Sequence, residues 1–578
     1  MDYSKFAVSD RSSQLSAKAY HIILTNDKDG IGIGVYYQSA LTHGRMRRLK
    51  PLAQQLIGPI RTAVSFLEPP HTSYWLTRWV LLRFLGFIYF IAFLSLSHQL
   101  GPLIGEQGLL PAQLHLNRLR AMADGSDVSL FAQLPTLFWL NSSDPFMHAL
   151  CYLGLALSLV VLAGVANAVL LAVLWFIYLS FVHVGQLFYG YGWEIMLLEA
   201  GFLAIFLAPL LQPSPFPQQI PPSKVMMWFY RWMVFRVMFG AGLIKLRGDA
   251  CWYDLTCLMY HYETQPIPNP ISWYLHQLPP LIHKLGVLWN HFVELLVPFM
   301  VFGPRVSRLT AGLLLISFQV ILIISGNLSF LNWLTIAICI PCFDDQALQH
   351  LVPRRFHARL AALAQSRRAP KPRQILIACL AVLLLVLSAQ PIRNMLSPRQ
   401  IMNTSFDQLH LVNTYGAFGH VGKVRQEVIL MGTEEPVITP STPWREYEFK
   451  AKPGSVGRRP PFIAPYHLRL DWQIWFAAMS NYRREPWLVH FVYKLLQGDP
   501  GALSLLANNP FPERPPRYIR AELYEYRFTT FADATDAWWK RTRLAEYLPP
   551  LSLDNPSFLR FLARHGWIQT PGKPVANQ

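Results

Sequence analysis

Five ionisable residues lie inside long apolar runs, where a charge is unfavourable unless it is paired or takes part in chemistry. Glu194 and Glu199 lie in one run, and Arg231, Arg236 and Lys245 lie in the next. Such groups could bind a ligand or act as an acid and a base. An acidic run followed by a basic run also predicts ion pairs between the two segments, and we favour this structural interpretation.

His291 and Glu294 are a second candidate pair inside an apolar run. They are three residues apart, so a helix would place both side chains on one face. That arrangement would suit a proton relay. Because an isolated His-x-x-Glu spacing has little specificity, we assign both residues to one intramembrane charge network with the five residues above, and we predict no catalytic residue.

The polar segment 247–284, between two apolar runs, is crowded with acidic, histidine and aromatic residues. The possible metal ligands are Asp249, Asp254, His261 and Glu263. Their spacing matches no zinc motif, so we predict no metal and no cofactor. The aromatic residues are Tyr260, Tyr262, Trp273 and Tyr274. They predict an aromatic belt at the membrane surface, a contact for apolar polypeptide segments, or both.

Two pairs of cysteines allow different chemistry. Cys251 and Cys257 lie in segment 247–284, where a disulfide could form if the segment meets an oxidising compartment. Cys339 and Cys342 match the Cys-x-x-Cys spacing of dithiol oxidoreductases. They lie at the end of an apolar run without the strand and helix context of those enzymes, and we therefore interpret them as buried small side chains.

The composition of the chain places these residues in a membrane protein. Of 578 residues 52% are hydrophobic and 15% are charged, whereas about a quarter of the residues in a soluble domain are charged. The formal net charge is +18, and the basic residues cluster beside apolar runs, where they orient helices and meet anionic lipid. We therefore expect the lipid bilayer, and not nucleic acid, as a partner.

Nine runs are long and apolar enough to be candidate membrane spans, since a helix needs about 20 such residues to cross. They are Tyr74 to Leu96, Phe146 to Val165, Val169 to Phe188, Trp193 to Leu211, Val225 to Leu246, Leu285 to Phe302, Leu309 to Ile324, Leu328 to Phe343 and Ile375 to Ile392. The seventh and eighth runs are short and could form a tight hairpin or one re-entrant element.

Basic loops remain in the cytoplasm, so their positions predict the orientation of the spans. Arg45, Arg47, Arg48 and Lys50 precede the first run, and a strongly basic stretch, residues 354–373, precedes the ninth. We therefore predict three regions. They are a polar, irregular cytoplasmic segment 1–70, a transmembrane domain 71–393 with an extracytoplasmic loop 247–284, and an extracytoplasmic C-terminal domain 394–578.

The C-terminal domain is predicted to be mixed α/β and rich in strands. Apolar and charged residues alternate over 446–451 and over 524–528, which is typical of half-buried strands. Leu470 to Ser480 and Trp487 to Leu496 are predicted helices. The fold class is thus a polytopic α-helical membrane bundle of about nine spans with an extracytoplasmic, strand-rich domain.

Three stretches of the chain resemble the lipase maturation factor family. The first is Tyr191 to Pro209, YGWEIMLLEAGFLAIFLAP. The second consists of Gly240 to Asp249, GAGLIKLRGD, Cys251 to Cys257, CWYDLTC, and Tyr260 to Pro270, YHYETQPIPNP. The third consists of Pro461 to Tyr466, PFIAPY, Leu470 to Ala478, LDWQIWFAA, and Pro515 to Tyr518, PPRY. The resemblance extends from about Ser73 to Leu553.

The resemblance implies a membrane-anchored folding factor that helps secreted lipases, or other secreted clients, reach their active form. It implies that the extracytoplasmic loop and the C-terminal domain contact the client, in the bacterial periplasm or in the lumen of the endoplasmic reticulum. The client-binding candidates are Tyr260, His261, Tyr262, Glu263, Trp273, Trp472 and Trp475.

Two other classes of protein remain possible. A multi-span bundle followed by a strand-rich extracytoplasmic domain is broadly similar to the vitamin K-dependent carboxylases, which suggests an intramembrane enzyme that modifies secreted polypeptides or lipids. Lys245, His261 or His291 would then face a cavity open to lipid, whereas neutralisation of Lys245 by Glu194 or Glu199 would favour a folding factor. A transporter is the third possibility, but the chain lacks the internal repeat of many transporters.

Overall fold

The computed structural model describes residues 69, 71–123, 129–212, 220–354, 357, 369–533 and 535–569, and the backbone of residues 20–27 and 30–37. The chain divides into two compact units, Met1–Pro70 and His71–Gln578. In the first unit, β1 (Tyr20–Asp27) and β2 (Gly30–Tyr37) pair antiparallel. The prediction of an irregular segment is therefore wrong for these residues.

The helical part of the second unit contains thirteen labelled helices. They are α1 (Trp75–Ile104), α2 (Ala112–Ala123), α3 (Asp144–Ala163), α4 (Ala168–Val184), α5 (Gly192–Leu207), α6 (Lys224–Arg247), α7 (Leu258–Thr264), α8 (Pro270–His276), α9 (Pro280–His291), α10 (Arg305–Ser325), α11 (Leu331–Cys339), α12 (Lys371–Leu387) and α13 (Ala389–Leu396). Single helical turns occupy Leu130–Gln133, Val297–Met300 and Asp345–Leu348.

Helical segments occupy all nine predicted spans. Within the described residues, four helices are long and apolar enough to cross a membrane: α1, α3, α10 and Lys371–Leu396, and Ala168–Val184 and Leu331–Cys342 are shorter apolar helices. The sixth run is interrupted after α9 by a π-helical turn, Phe292–Leu296. The number of crossings and their orientation remain predictions. Of the predicted basic residues, Arg45, Arg47, Arg48, Lys50, Arg355, Arg359, Arg367 and Arg368 lie outside the described residues.

The C-terminal segment contains three labelled helices and one sheet. The helices are α14 (Arg469–Ala478), α15 (Pro486–Leu496) and α16 (Pro556–Arg564), with a single turn at Pro500–Ser504. The antiparallel sheet has the order β4-β3-β5-β6, where β3 is Arg425–Thr433, β4 is Arg445–Glu446, β5 is Tyr518–Phe528 and β6 is Trp539–Leu551. Both predicted helices and the predicted strand at 524–528 are confirmed.

The predicted strand over 446–451 is largely wrong. Tyr447, Phe449 and Ala451 are buried, as the alternation indicates, but only Arg445 and Glu446 are in the sheet. The amides of Ala451 and Lys452 donate instead to one carboxylate oxygen of Asp471 in α14, at 2.6 and 3.0 Å. A side chain distant in sequence therefore replaces the neighbouring strand as the hydrogen-bond acceptor.

Strand β3 explains how the sheet is held between two layers. Val428 and Leu430 join the main apolar core, whereas Ile429 and Met431 face a smaller cluster that includes Trp273 of α8. This is the alternation expected of a strand that is buried on both faces. One face of the sheet therefore packs against segment 247–284, where five of the seven client-binding candidates lie.

Candidate functional site

Lys245 is neutralised by an acidic residue from the interrupted sixth run. Its Nζ lies 2.6 Å from Oε2 of Glu294, and both side chains are almost fully buried. Nδ2 of Asn290 donates to the same oxygen at 3.0 Å. The predicted partners, Glu194 and Glu199, are thus wrong for this lysine, but the ammonium group is paired. Its charge also lies 5.1 Å from the ring centroid of Trp252, a cation–π contact.

His291 and Glu294 have different hydrogen-bond partners, and a π-helical turn contains Glu294. Glu294 lies within the turn and points to Lys245, whereas Nε2 of His291 lies 3.1 Å from the carbonyl oxygen of Trp252. Pro298 has no amide proton to donate to the Glu294 carbonyl, so a regular α-helix would leave that carbonyl unpaired. The extra residue in the turn changes the helix register after His291, and both residues lie close to Trp252, His291 directly and Glu294 through Lys245.

Glu199 and Arg236 form the predicted pair between the acidic and the basic helices. Both side chains are buried, and the residues lie on α5 and α6. Oε2 of Glu199 also accepts hydrogen bonds from the Tyr415 hydroxyl at 2.8 Å and from the Asn413 amide at 3.0 Å. Asn413 and Tyr415 follow the last helix of the bundle, so the C-terminal segment completes the coordination of this carboxylate.

Glu194 pairs with the C-terminal segment and not with α6. Nη1 of Arg469, in α14, lies 2.8 Å from Oε1 of Glu194, and the Tyr178 hydroxyl also donates to this carboxylate. The guanidinium carbon of Arg469 lies 3.6 Å from the ring centroid of Tyr189. Arg231 donates to the Pro341 carbonyl oxygen at 3.1 Å and to the Tyr74 hydroxyl. The predicted pairing of α5 with α6 therefore holds for one acidic residue of the two.

Arg425, at the start of β3, joins the C-terminal sheet to segment 247–284. Its side chain is fully buried and donates to the carbonyl oxygens of Glu263, Gln265 and Pro266, at 2.8 Å and 3.0 Å for the first and last. These carbonyls lie at the end of α7, where the last groups of a helix lack intrahelical donors. Arg425 also pairs with Glu427, and Lys452 approaches the other oxygen of that carboxylate at 2.8 Å.

Segment 247–284 begins with a loop that contains a disulfide. Cys251 and Cys257 are joined, with their Cα atoms 4.8 Å apart. The amide of Asp249 donates to the Gly419 carbonyl at 2.9 Å, and the Trp252 indole donates to the Phe418 carbonyl at 3.0 Å. The loop is therefore held directly against the C-terminal segment. Cys339 and Cys342 are buried and not bonded to each other.

The predicted client-binding residues differ in their exposure. His261, Glu263 and Trp472 are buried, whereas Tyr260, Tyr262, Trp273 and Trp475 are half-buried. Burial and, to a smaller extent, the charge of Lys245 lower the pKa of His261 to about 4. Glu263 lies 3.2 Å from Nε2 of His276. The buried residues position the surface, and a client could touch them only after a rearrangement.

Apart from Tyr274, which belongs to the predicted aromatic belt, the exposed apolar side chains of Phe476, Met479 and Phe531 were not among the predicted residues. Phe476 and Met479 on α14 are 40% and 56% exposed, and Tyr274 and Phe531 are also exposed. The spacing could have identified the first two, because Phe476 in α14 and Met479 directly after it are three residues apart and so share a helical face. The fixed side of this helix is an aromatic cluster of Tyr191, Trp193, His467 and Trp472.

The fold and these contacts define a class of protein: a transmembrane helical protein whose C-terminal sheet segment is joined to its helices through a buried ion pair and buried hydrogen bonds. A family model described as the lipase maturation factor transmembrane domain matches residues 76–350, and one described as the lipase maturation factor C-terminal domain matches residues 411–549. The chain belongs to the lipase maturation factor family.

Relatives match the chain over most of its length. Lipase maturation factor 1 of Mus musculus is 49% identical over 509 residues, which cover 84% of this chain and 89% of that protein. The Homo sapiens protein of the same name is 47% identical with the same coverage. Lipase maturation factor 2 of Xenopus laevis is 32% identical over 86% of this chain and 85% of its own length. No solved structure matches the chain.

Proposed function

We propose that this protein assists the maturation of secreted lipases from the membrane, as a folding factor that holds its client on the extracytoplasmic side. The observation that carries the proposal is the 49% identity to a protein named lipase maturation factor 1, over 84% of this chain. That similarity includes both the helical part and the C-terminal part. The paired state of Lys245 supports a folding factor over an intramembrane enzyme, because a base must be free to accept a proton.

The chain crosses the bilayer nine times in this proposal. Contacts between helix ends support an alternating path. At one end of the helical bundle, Asp345, which follows α11, accepts hydrogen bonds from the amides of Trp75 and Leu76 at the start of α1. At the same end, Arg373 at the start of α12 donates to the Ala208 carbonyl after α5. At the other end, the Gln99 side chain near the end of α1 donates to the His467 carbonyl.

The C-terminal segment lies outside the cytoplasm in this arrangement. The disulfide supports this location of its loop, because disulfides persist in oxidising compartments. Its loop and the C-terminal segment contact each other through Asp249 and Arg425, so both must lie on the same side of the bilayer. Arg305 and Arg308, which pair with Asp344, lie at the opposite end, as expected of a cytoplasmic surface. The compartment is either the periplasm or the lumen of the endoplasmic reticulum.

The client contacts the exposed face of α14, formed by Trp475, Phe476 and Met479. Trp475 is half-buried and its indole donates to the Thr264 carbonyl at 3.1 Å, which connects this face to segment 247–284. Aromatic and methionine side chains bind apolar segments of varied sequence, as a folding factor requires. Tyr260, Tyr262 and Trp273 lie on the adjoining segment and extend the surface.

The test uses cells that lack their own lipase maturation factor and secrete a dimeric lipase. Expression of this protein should restore secreted lipase activity, and Phe476→Asp should reduce it severalfold without lowering the amount of the protein. The matched control is Leu553→Asp, a similar change at an exposed apolar residue of the same segment. A photo-crosslinker at residue 476 should capture the lipase, and one at Leu351, exposed at the other end of the bundle, should not.

The two parts of the proposal fail separately. If lipase activity is the same with and without the protein, the function is wrong. If activity is restored but the crosslinker at residue 476 never captures lipase and Phe476→Asp retains full activity, the function stands and the assignment of the α14 face is wrong.

A further inference from the structure

The loop between β5 and β6 carries an exposed aromatic side chain at its tip. Phe531 is 72% exposed at this tip, and its ring centroid lies 4.9 Å from that of Trp273 in α8. Single exposed apolar residues are common and need no explanation. Phe531 differs because Tyr274, also exposed, lies beside it with its ring centroid 6.4 Å away. The tip and α8 therefore present two adjacent exposed rings.

The tip is fixed to α8 by polar contacts. The Trp273 indole donates to the Thr529 hydroxyl at 3.1 Å, and the Gln277 side chain donates to the Thr529 carbonyl at 3.0 Å. Trp538, on the other side of the loop, packs edge-on against Trp273 with ring centroids 5.7 Å apart. The direction of Phe531 is thus set by α8 and not by the loop alone.

The exposed rings continue an apolar stripe on the next helix. The exposed members of this stripe are Leu281, Leu285, Leu288, Phe292, Leu296 and Phe299. The spacing of four and three residues places Leu281, Leu285 and Leu288 on one face of α9, and the exposed apolar residues continue through the π-helical turn. They lie inside the stretch matched by the transmembrane domain model. A face of this kind meets lipid, and α8 joins it at the end where α9 begins.

Charges around the rings fit the head-group layer. Lys284 and Arg459 are exposed, and the guanidinium of Arg459 lies 5.6 Å from the ring centroid of Trp538. Asp533, in the tip itself, is paired with Lys540 at 2.6 Å. Aromatic rings next to basic side chains are the composition found at membrane interfaces, where rings lie among head groups and cations meet lipid phosphates.

We propose that the β5–β6 tip, through Phe531 and Tyr274, inserts into the extracytoplasmic leaflet and anchors the sheet to the bilayer surface. The inference rests on one feature of the proposed function, that the helix beginning at Pro280 crosses the bilayer. It goes beyond that function by assigning a lipid-binding role to a residue of the C-terminal sheet. The anchor would fix the height of the α14 face above the membrane.

The test measures the surroundings of single spin labels on the full-length protein in vesicles of phosphatidylcholine and phosphatidylglycerol. Cys379 is the exposed free cysteine among the described residues, so each variant carries Cys379→Ser. Labels are placed at Phe531→Cys, at Leu285→Cys as the lipid reference, and at Val437→Cys as the matched control. Val437 is 67% exposed and lies in the loop after β3. The hydroxyl of Tyr518, at the start of β5, donates to the carbonyl of Pro436 in this loop. Val437 therefore lies at the opposite end of the sheet from Phe531, which follows the end of β5.

Oxygen, which concentrates in lipid, and a water-soluble nickel chelate should relax these labels differently. We expect the ratio of oxygen to nickel accessibility at residue 531 to be severalfold higher than at residue 437 and close to that at residue 285. A ratio at 531 equal to that at 437 overturns the anchor. Protection of the label at residue 531 from both reagents also overturns the anchor. Broadening of its spectrum that disappears when labelled protein is diluted with unlabelled protein does so too. Either result favours a protein partner. A water-like label at residue 285 instead contradicts the proposed crossing.

Discussion

Replacing Arg425 by Met should release segment 247–284 from the C-terminal sheet. The substitution removes the donors to three carbonyl oxygens at the end of α7 and one of the two cations beside Glu427. Removing one partner of a buried pair costs about 3–5 kcal/mol, and each buried acceptor left without a donor costs about 1–3 kcal/mol. Lys452 remains beside Glu427, so the three carbonyl acceptors account for most of the loss, about 3–9 kcal/mol together, and we expect the lower part of that range, about 3–5 kcal/mol.

Hydrogen exchange of the amides of α7 and Gln265 measures this loss locally. Since about 1.4 kcal/mol corresponds to a tenfold change in an equilibrium constant, exchange in Arg425→Met should be at least about a hundredfold faster. The matched control is Arg541→Met, which removes an Arg–Glu pair with Glu446 on the same sheet. That pair is partly exposed, so its loss should cost only about 0.2–1 kcal/mol. Equal protection of α7 in the two variants would refute the role assigned to Arg425.

Two further predictions concern acidity and orientation. Burial lowers the pKa of His490 from 6.5 to about 4. As the pH falls, the unfolded chain therefore binds a proton at this residue before the folded chain does. The stability that neutral His490 contributes is complete above pH 6.5 and falls towards pH 4, by up to about 1.4 kcal/mol per pH unit. His490→Gln should flatten the dependence of melting temperature on pH over that range, and an unchanged slope would contradict this. Asn141 and Asn403 are exposed and each begins an Asn-x-Ser/Thr motif, so in mammalian cells Asn141→Gln and Asn403→Gln should each remove one glycan from the protein, whereas an unglycosylated wild-type chain would contradict the proposed orientation.

Hydropathy and periodicity predicted the elements of this fold because those signals are local. The helices at all nine apolar runs, α14, α15 and the strand at 524–528 follow from residues within one window of sequence. The interruption at residues 292–296 was not predicted, although Pro298 indicates it, since a proline in a span removes an amide donor. The strand at 446–451 failed because its acceptor, Asp471, is about 20 residues away in sequence.

Partners of the buried charges could be predicted only in part. Glu199 and Arg236 lie on successive helices, and that proximity in sequence is what the prediction used. Arg469 lies 275 residues after Glu194, and Asn413 lies 214 residues after Glu199. No periodicity connects such positions. A single chain can reveal that a buried carboxylate needs a partner, but not which distant residue supplies it.

The buried carboxylates make the two matched family domains depend on each other. Without Arg469, the Tyr178 hydroxyl would be the one hydrogen-bond donor left to Glu194 among the described residues, and without residues 413–415, Glu199 would lose three of its hydrogen bonds. An ionised carboxylate in an apolar bundle is strongly unfavourable unless it is paired. The helical part is therefore stable in this form only when the C-terminal segment is docked on it. The same docking holds α14 against α5, so the face proposed for clients is set by the folding of the transmembrane helices and not by a flexible tether.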